Sequence, residues 1–475
     1  MRERLVTSEN RKWWTLGAVS FGLFMIMLDN TVVNVALPSI QRDLGVDLSE
    51  LEWIVTGYAL TFAALMLTGG KFADRYGRRR IFIGGLVVFT LASLACGMAT
   101  TGSVLIGARV VQGAGAALMN PATLSIIAAT FPPRERGTAI GIWAGVSAMA
   151  LAIGPLVGGL LTEHIDWSWI FFVNVPVGVL AIVASLLFID ESRDTSREQR
   201  LDVPGLLASG IGLFALTYGL IEANSYGWTS ARILTAFAVG IVGLVSFVVL
   251  ERLQRLPMVD LTLFRNRTFV GANVVVLLVF LAMFGVFFFL SLYMQNILGY
   301  SAVRAGAAFL PMTLLIMVVA PAAGRLSDRF GSRWLMTGGM LLLSVQLLYF
   351  SRLGPDAGFW NLLPGMLLGG VGMASTMTPT AAAAVRAVPV DKAGVGSAVL
   401  NSFRQVGGSM GIAVMGAIVA HAAGGRRTVD AFMDGFSTAL VVAGCIALAG
   451  AGVAAVLVRP HERESEERVP VEAAA

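Results

Sequence analysis

The sequence has little charge, little cysteine and little histidine. Only 13% of its 475 residues are Asp, Glu, Lys or Arg, against roughly 25% in soluble domains. With 56% hydrophobic residues and a mean hydropathy of +0.77 beside that figure, a water-soluble globular protein is excluded. The two cysteines, Cys96 and Cys445, sit in apolar runs with no CxxC or metal-ligand spacing, so they support neither a disulfide framework nor a zinc site. The three histidines, at 164, 421 and 461, lie near the ends of apolar runs or in the tail, and no His cluster or carboxylate pair shares one depth as a membrane enzyme would need. A glycine-rich phosphate loop is also missing, which argues against an ATP-driven pump. No cleavable leader is evident: the first apolar run has full span length and no short core ending in A-x-A, so it is expected to stay as a helix.

What is present is a succession of apolar runs. A membrane-spanning helix needs roughly 20 apolar residues, and runs of that kind occur near 13–37, 51–70, 80–99, 103–128, 138–162, 168–189, 204–222 and 232–250. They continue near 269–294, 303–323, 334–351, 360–385, 394–421 and 434–458. The expectation is an all-α integral membrane protein with 14 transmembrane helices. If the runs alternate across the membrane, 26 Lys and Arg fall on the side holding both termini and 6 on the other, with Arg109 and Arg404 inside runs. Inner loops collect such residues, so both termini are expected in the cytoplasm, and the net charge of +5 needs no nucleic-acid partner.

The chain also repeats itself. Gly70 to Gly77, GKFADRYG, matches Gly324 to Gly331, GRLSDRFG, at an offset of 254, and Gly137 to Gly154 can be laid on Gly394 to Gly411 at an offset of 257. Two homologous six-helix bundles would explain this, over 13–189 and 269–458, with an inserted helix pair in 190–268. Residues 1–12 then form a cytoplasmic N-terminus and 459–475 a charged, disordered tail. Parallel halves of this kind place a substrate site near the midplane between them.

Polar residues inside the runs mark the candidate site. Arg109 lies in LIGARVVQGAG, and an arginine within a bilayer costs about 2.5–3.5 kcal/mol even on lenient scales, so it needs a partner. Asp29, in LDNTVVNVALP, is placed roughly 12 Å from the outer end of its run and Arg109 roughly 9 Å from that of its own, so they can meet. Their pairing can be static, or Asp29 can exchange protons. Asp29 is also the one acidic residue placed well inside a run, which makes one proton per cycle the simplest stoichiometry. Asn34, Gln112, Asn401, Arg404 and Gln405 are candidates for lining a cavity. Arg404 is open to three roles: lining that cavity, pairing with a carboxylate, or reaching backbone carbonyls. Glu222, at the outer end of its run, is an interfacial residue and a secondary candidate for the same cavity. Gly145, Gly154, Pro155, Gly158 and Gly159 let helix backbones approach and allow a bend. In the repeated loop, glycines permit a tight turn and Asp74 can pair with a neighbouring cation.

These segments resemble the major facilitator superfamily, and specifically its fourteen-span drug:proton antiporter family. Gly70 to Arg80 is similar to the superfamily's loop signature, Arg109 and its neighbours to the fourth-span motif, and Gly145 to Gly159 to the fifth-span motif of antiporters. Leu28 to Pro38, Trp167 to Pro176 and Gly394 to Gly411 resemble the fourteen-span group, and the resemblance extends from about Trp13 to Val458. Ala150 departs from it, since the antiporter motif commonly has glycine there. The resemblance implies that Asp29 binds protons, that Arg109 couples that site to a conformational change, and that Gly70, Asp74, Arg75, Gly77 and Arg78, with Asp328 and Arg329 in the second copy, gate the inner side. It implies a monomeric exporter of small lipophilic compounds in a bacterial cytoplasmic membrane, surrounded by lipid and driven by a proton gradient, with no catalytic residue, metal or cofactor. The alternatives are an uptake symporter, which the fifth-span motif opposes, and an exporter of one dedicated metabolite.

Overall fold

A computed structural model of the protein describes residues 8–193, 202–254, 259–389, 393–424 and 428–459. Residues 1–7 of the expected N-terminal segment and the expected tail beyond Arg459 lie outside the described residues. Every regular element described is helical: α1 (Ser8–Leu44), α2 (Leu48–Tyr76), α3 (Arg78–Gly97), α4 (Gly102–Thr130), α5 (Pro133–His164), α6 (Trp169–Phe172), α7 (Asn174–Phe188), α8 (Val203–Tyr226) and α9 (Ala231–Leu253). After a short 3-10 turn follow α10 (Arg267–Leu292), α11 (Ala302–Ala308), α12 (Leu310–Phe330), α13 (Ser332–Phe350), α14 (Phe359–Arg386), α15 (Ala393–Ala423) and α16 (Val429–Leu457). Each apolar run of the sequence falls on one of these helices or a pair of them, with a few ends running past the helix by a residue or two. Among the described residues, eleven helical segments are long and apolar enough to cross a membrane, or twelve if α2, bent by 50° between Met66 and Thr68, is one crossing. Large apolar side chains such as Leu180, Val242 and Val318 stand exposed on the outer faces, a surface suited to lipid and not to water.

Caps fix where the helices begin. Asp47 and Glu50 form a reciprocal capping box at the start of α2, and the side chains of Thr101, Ser230, Asn266, Ser301 and Thr428 accept a backbone N–H at the starts of later helices. The loop repeat is repeated in the backbone. Gly77, with φ +117°, ends α2 and opens α3, and Gly331, with φ +84°, does the same between α12 and α13. Both lie where L side chains are strained. The ion pairs are not repeated in this way. Asp74 accepts from Arg78 at 3.0 Å across its own turn, whereas Asp328 pairs with Arg386 at the end of α14, because Ser332 stands where the first copy has Arg78.

Small residues set the packing of α5. Gly154 meets the Thr31 side chain of α1, and a Cβ at Gly158 would lie 2.8 Å from Val32 O. The corresponding Gly411 of α15 meets Leu281 O of α10, so the second repeat is also preserved as a helix contact. Gly145 does not fit the close-approach expectation: it is exposed, and a Cβ there would meet nothing within 4 Å. On its other side α5 closes against the second half of the chain. A Cβ at Gly159 would lie 2.5 Å from Ala302 O, and Val303 N–H donates to Glu163 at 2.7 Å. Gln295 Nε2 donates to Val35 O at 2.8 Å at the same end.

Gly159→Val should therefore prevent this end from closing, since backbone cannot yield as a flexible side chain can. The expected result is normal insertion with loss of export, and a much slower cross-link between cysteines placed by Glu163→Cys and Val303→Cys. An unchanged cross-linking rate would mean the contact is dispensable.

Candidate functional site

The charge that sequence places in α4 is fully paired. Arg109, 1% exposed, donates from Nη1 to Asp29 Oδ2 at 2.5 Å and to Gln112 Oε1 at 2.6 Å, and from Nε to Ile54 O at 3.1 Å. Its guanidinium lies 4.2 Å from the Tyr58 ring centroid and 5.7 Å from that of Phe171. Asp29 is 0% exposed; its second oxygen accepts from Gln112 Nε2 at 2.9 Å and Asn174 Nδ2 at 3.4 Å. Ser93 Oγ in turn accepts from Gln112 at 3.1 Å and Asn174 at 3.0 Å. Six elements, α1, α2, α3, α4, α6 and α7, thus converge on one carboxylate–guanidinium pair. In such an interior a half-satisfied network would be costlier than none.

Gln112 belongs to this network. It is 0% exposed and does not line a cavity, because three residues along α4 from Arg109 its amide is turned to the same partners.

The cavity lies one residue further along α1. Met27, Asn30, Thr31, Asn34 and Val35 form one wall and Leu151, Ala152 and Pro155 of α5 another. The opposite side is aromatic and sulfur-rich: Phe280, Phe284 and Phe287 of α10, Phe309 between α11 and α12, and Met373 and Met377 of α14. Arg404 and Gln405 of α15 complete it, so Asn34, Arg404 and Gln405 are placed as expected. Asn401 is not part of the lining; one turn before Gln405, its Nδ2 donates to Ser397 O of its own helix at 3.1 Å. Glu222 is not part of it either. Its carboxylate accepts from Ser49 Oγ at 2.9 Å and Trp53 Nε1 at 3.1 Å, where α8 packs on α2, and nearby Asn224 donates to Ala417 O of α15 at 2.9 Å.

Sequence reasoning missed Ser93, Tyr58 and Asn174 in the network. Asn174 lies in the segment from Trp167 to Pro176 that stands out by resemblance, but Ser93 carries no local signal. Glu52 is a second buried carboxylate that sequence reasoning passed over: it lies near the start of α2 and looks like an end residue in sequence, yet it is 2% exposed. The Glu52 carboxylate presses on Gly416 of α15, and the charges nearest it, Glu222 and Asp47, have its own sign.

Known proteins resemble this chain in sequence and in fold. The family model described as Major Facilitator Superfamily matches residues 19–412 and again 272–474. A puromycin resistance protein of Streptomyces alboniger is 39% identical, covering 96% of this chain and 93% of its own. A tetracenomycin C resistance and export protein of Streptomyces glaucescens is 37% identical over 90% of this chain and 79% of its own. The crystal structure of an auto-inhibited peptide transporter of the POT family superposes with a TM-score of 0.72 at 14% identity, covering 97% of this chain and 98% of that one, a likeness of fold.

Proposed function

The chain belongs to the major facilitator superfamily, and from that premise we propose that it exports small lipophilic drugs or specialised metabolites across the bacterial cytoplasmic membrane in exchange for protons. Export is supported by the relatives named for resistance and export. Exchange for protons is supported above all by one observation: the buried Asp29–Arg109 pair lies one residue behind the cavity wall formed by Asn30 and Thr31.

The coupling works through α1. Protonating Asp29 removes the negative charge to which Arg109 and Gln112 donate, so the network must rearrange. Asp29 shares a helical turn with Thr31 and Val32, which pack on Gly154 and Gly158 of α5. A charge change at Asp29 is thereby transmitted to the α5 surface that closes on α11 through Gly159. Substrate in the cavity touches the same turn of α1 and competes with the proton for its conformation.

In this proposal α13 and α14 also cross the bilayer, giving fourteen crossings with both termini cytoplasmic. The bundles are 13–189 and 269–458, joined by α8 and α9, and a single chain suffices because pair and cavity lie within it. The turns at Gly77 and Gly331, with their carboxylates Asp74 and Asp328, lie at the cytoplasmic end and stiffen the helix hairpins that move there. The energy source is the proton gradient, and no cofactor or catalytic group takes part.

The test is a susceptibility panel of lipophilic antibiotics in an efflux-deficient host. Wild type should raise tolerance to several compounds, and Asp29→Asn, at equal membrane abundance, should return it to the empty-vector level. Full protection by Asp29→Asn would remove Asp29 from the mechanism.

A further inference from the structure

We propose that the cavity takes anionic substrates: Arg404 anchors a carboxylate, or a similarly delocalised oxyanion, carried on an aromatic or apolar body. The inference rests on the export reading and gives it a substrate class.

Arg109 and Arg404, both set deep in long apolar helices, differ in one respect. Arg109 has a carboxylate, a side-chain amide and a backbone carbonyl. Arg404 has none of these among the described residues; its contacts are Met27 Sδ at 3.9 Å and the Phe280 ring, whose centroid is 5.2 Å from the guanidinium carbon. A thioether is a weak acceptor and a phenyl ring offers only its face. A guanidinium surrounded in this way, facing an apolar cavity, lacks the acceptors that a charge inside a membrane needs.

Among the described residues, no side chain lining the cavity offsets the charge. α1 presents Asn30, Thr31 and Asn34, and its carboxylate, Asp29, is turned away and 0% exposed. α5, α10, α12 and α14 contribute uncharged residues only, and α15 adds neutral Gln405 beside Arg404. Several neutral polar groups are partly turned to their own or a neighbouring helix. Asn30 and Asn34 donate to Ile26 O and Asn30 O of their own helix at 2.8 and 3.2 Å, and Thr313 Oγ1 donates to Ala152 O at 3.2 Å. Arg404 is thus the cationic donor of the lining, beside the neutral amide of Gln405, and among the described lining residues it carries the one charge.

A guanidinium recognises a carboxylate through parallel N–H donors as well as charge, which a lysine does not reproduce. The phenyl rings at 280, 284, 287 and 309 then cover the apolar body. A cationic compound of the same shape would meet a like charge across a medium that screens poorly.

The experiment uses purified full-length protein and three probes of one shape: 2-naphthoate, its methyl ester and 2-naphthylmethylammonium, at neutral pH. Calorimetric titration should give the acid at least tenfold tighter binding than the ester, with the ammonium weakest. Arg404→Gln should bring the acid to the level of the ester while leaving ester binding intact, which also shows that the variant is folded. Arg404→Lys should retain part of the preference. Any result without preference for the acid, including no binding of it, overturns the inference, as does an acid-to-ester ratio that survives Arg404→Gln. Export of the antibiotic panel is measured in parallel. Its failure in wild type would overturn the export reading, whereas export with a preference for the ammonium overturns only the anion site.

Discussion

Arg109→Ala is expected to abolish export while leaving a protein inserted in the membrane, and adding Asp29→Asn is expected to restore stability without restoring transport. Removing one member of a buried ion pair strands the other, at a cost of about 3–5 kcal/mol. Among the described residues Asp29 has no second cation to turn to, since its remaining donors are the neutral amides of Gln112 and Asn174. Neutralising Asp29 as well removes the stranded charge, so the double variant should be more stable than Arg109→Ala alone. The double-mutant cycle in thermal unfolding should therefore be strongly non-additive. Export should stay absent, because the exchanging carboxylate is gone. Additive destabilisation would show that the 2.5 Å contact is energetically idle.

Membrane potential should separate substrates by charge. One proton entering against a neutral substrate moves one positive charge inward, worth roughly 2.3 kcal/mol per 100 mV, or roughly fortyfold in concentration at about 1.4 kcal/mol per decade. A monovalent cation leaving in exchange for one proton moves no net charge, so its export should follow the pH gradient alone. A monoanion leaving moves a second positive charge inward in effect, and the same 100 mV then supports roughly a two-thousandfold gradient. Proteoliposomes with potential and pH gradient clamped separately by ionophores read all three cases. Potential-driven export of a monovalent cation at zero pH gradient would require a second transported proton, with buried Glu52 the first residue to examine.

The parts of this architecture legible in sequence were those written in single runs or in charges that lipid does not tolerate. Helices announce themselves by hydropathy, and the Asp29–Arg109 pair by the cost of isolated charge at matched depth. The loop repeat was legible as well, down to the two left-handed glycines, although Ser332 in place of a second Arg78 sent Asp328 to Arg386. What was not legible is the rotation of each helix about its axis. Gln112, Asn401 and Gln405 are all amides within apolar runs, yet one completes the ion-pair network, one bonds to its own helix and one faces the cavity. Asn174 reaches Asp29, and Ser93 reaches Gln112 and Asn174, from helices distant in sequence, and only packing brings them there. Glu52 looked like an end residue because the start of its apolar run hides the α8 and α15 surfaces that bury it.

The most direct measurement compares two modes of transport by Asp29→Asn in proteoliposomes. Substrate–substrate exchange at equilibrium needs the cavity and the conformational cycle but no net proton movement, whereas uphill accumulation under an imposed pH gradient needs a proton carried on each cycle. If Asp29 carries that proton, Asp29→Asn keeps exchange near the wild-type rate and loses gradient-driven accumulation. Accumulation driven by the pH gradient in Asp29→Asn, at the wild-type level, would contradict it.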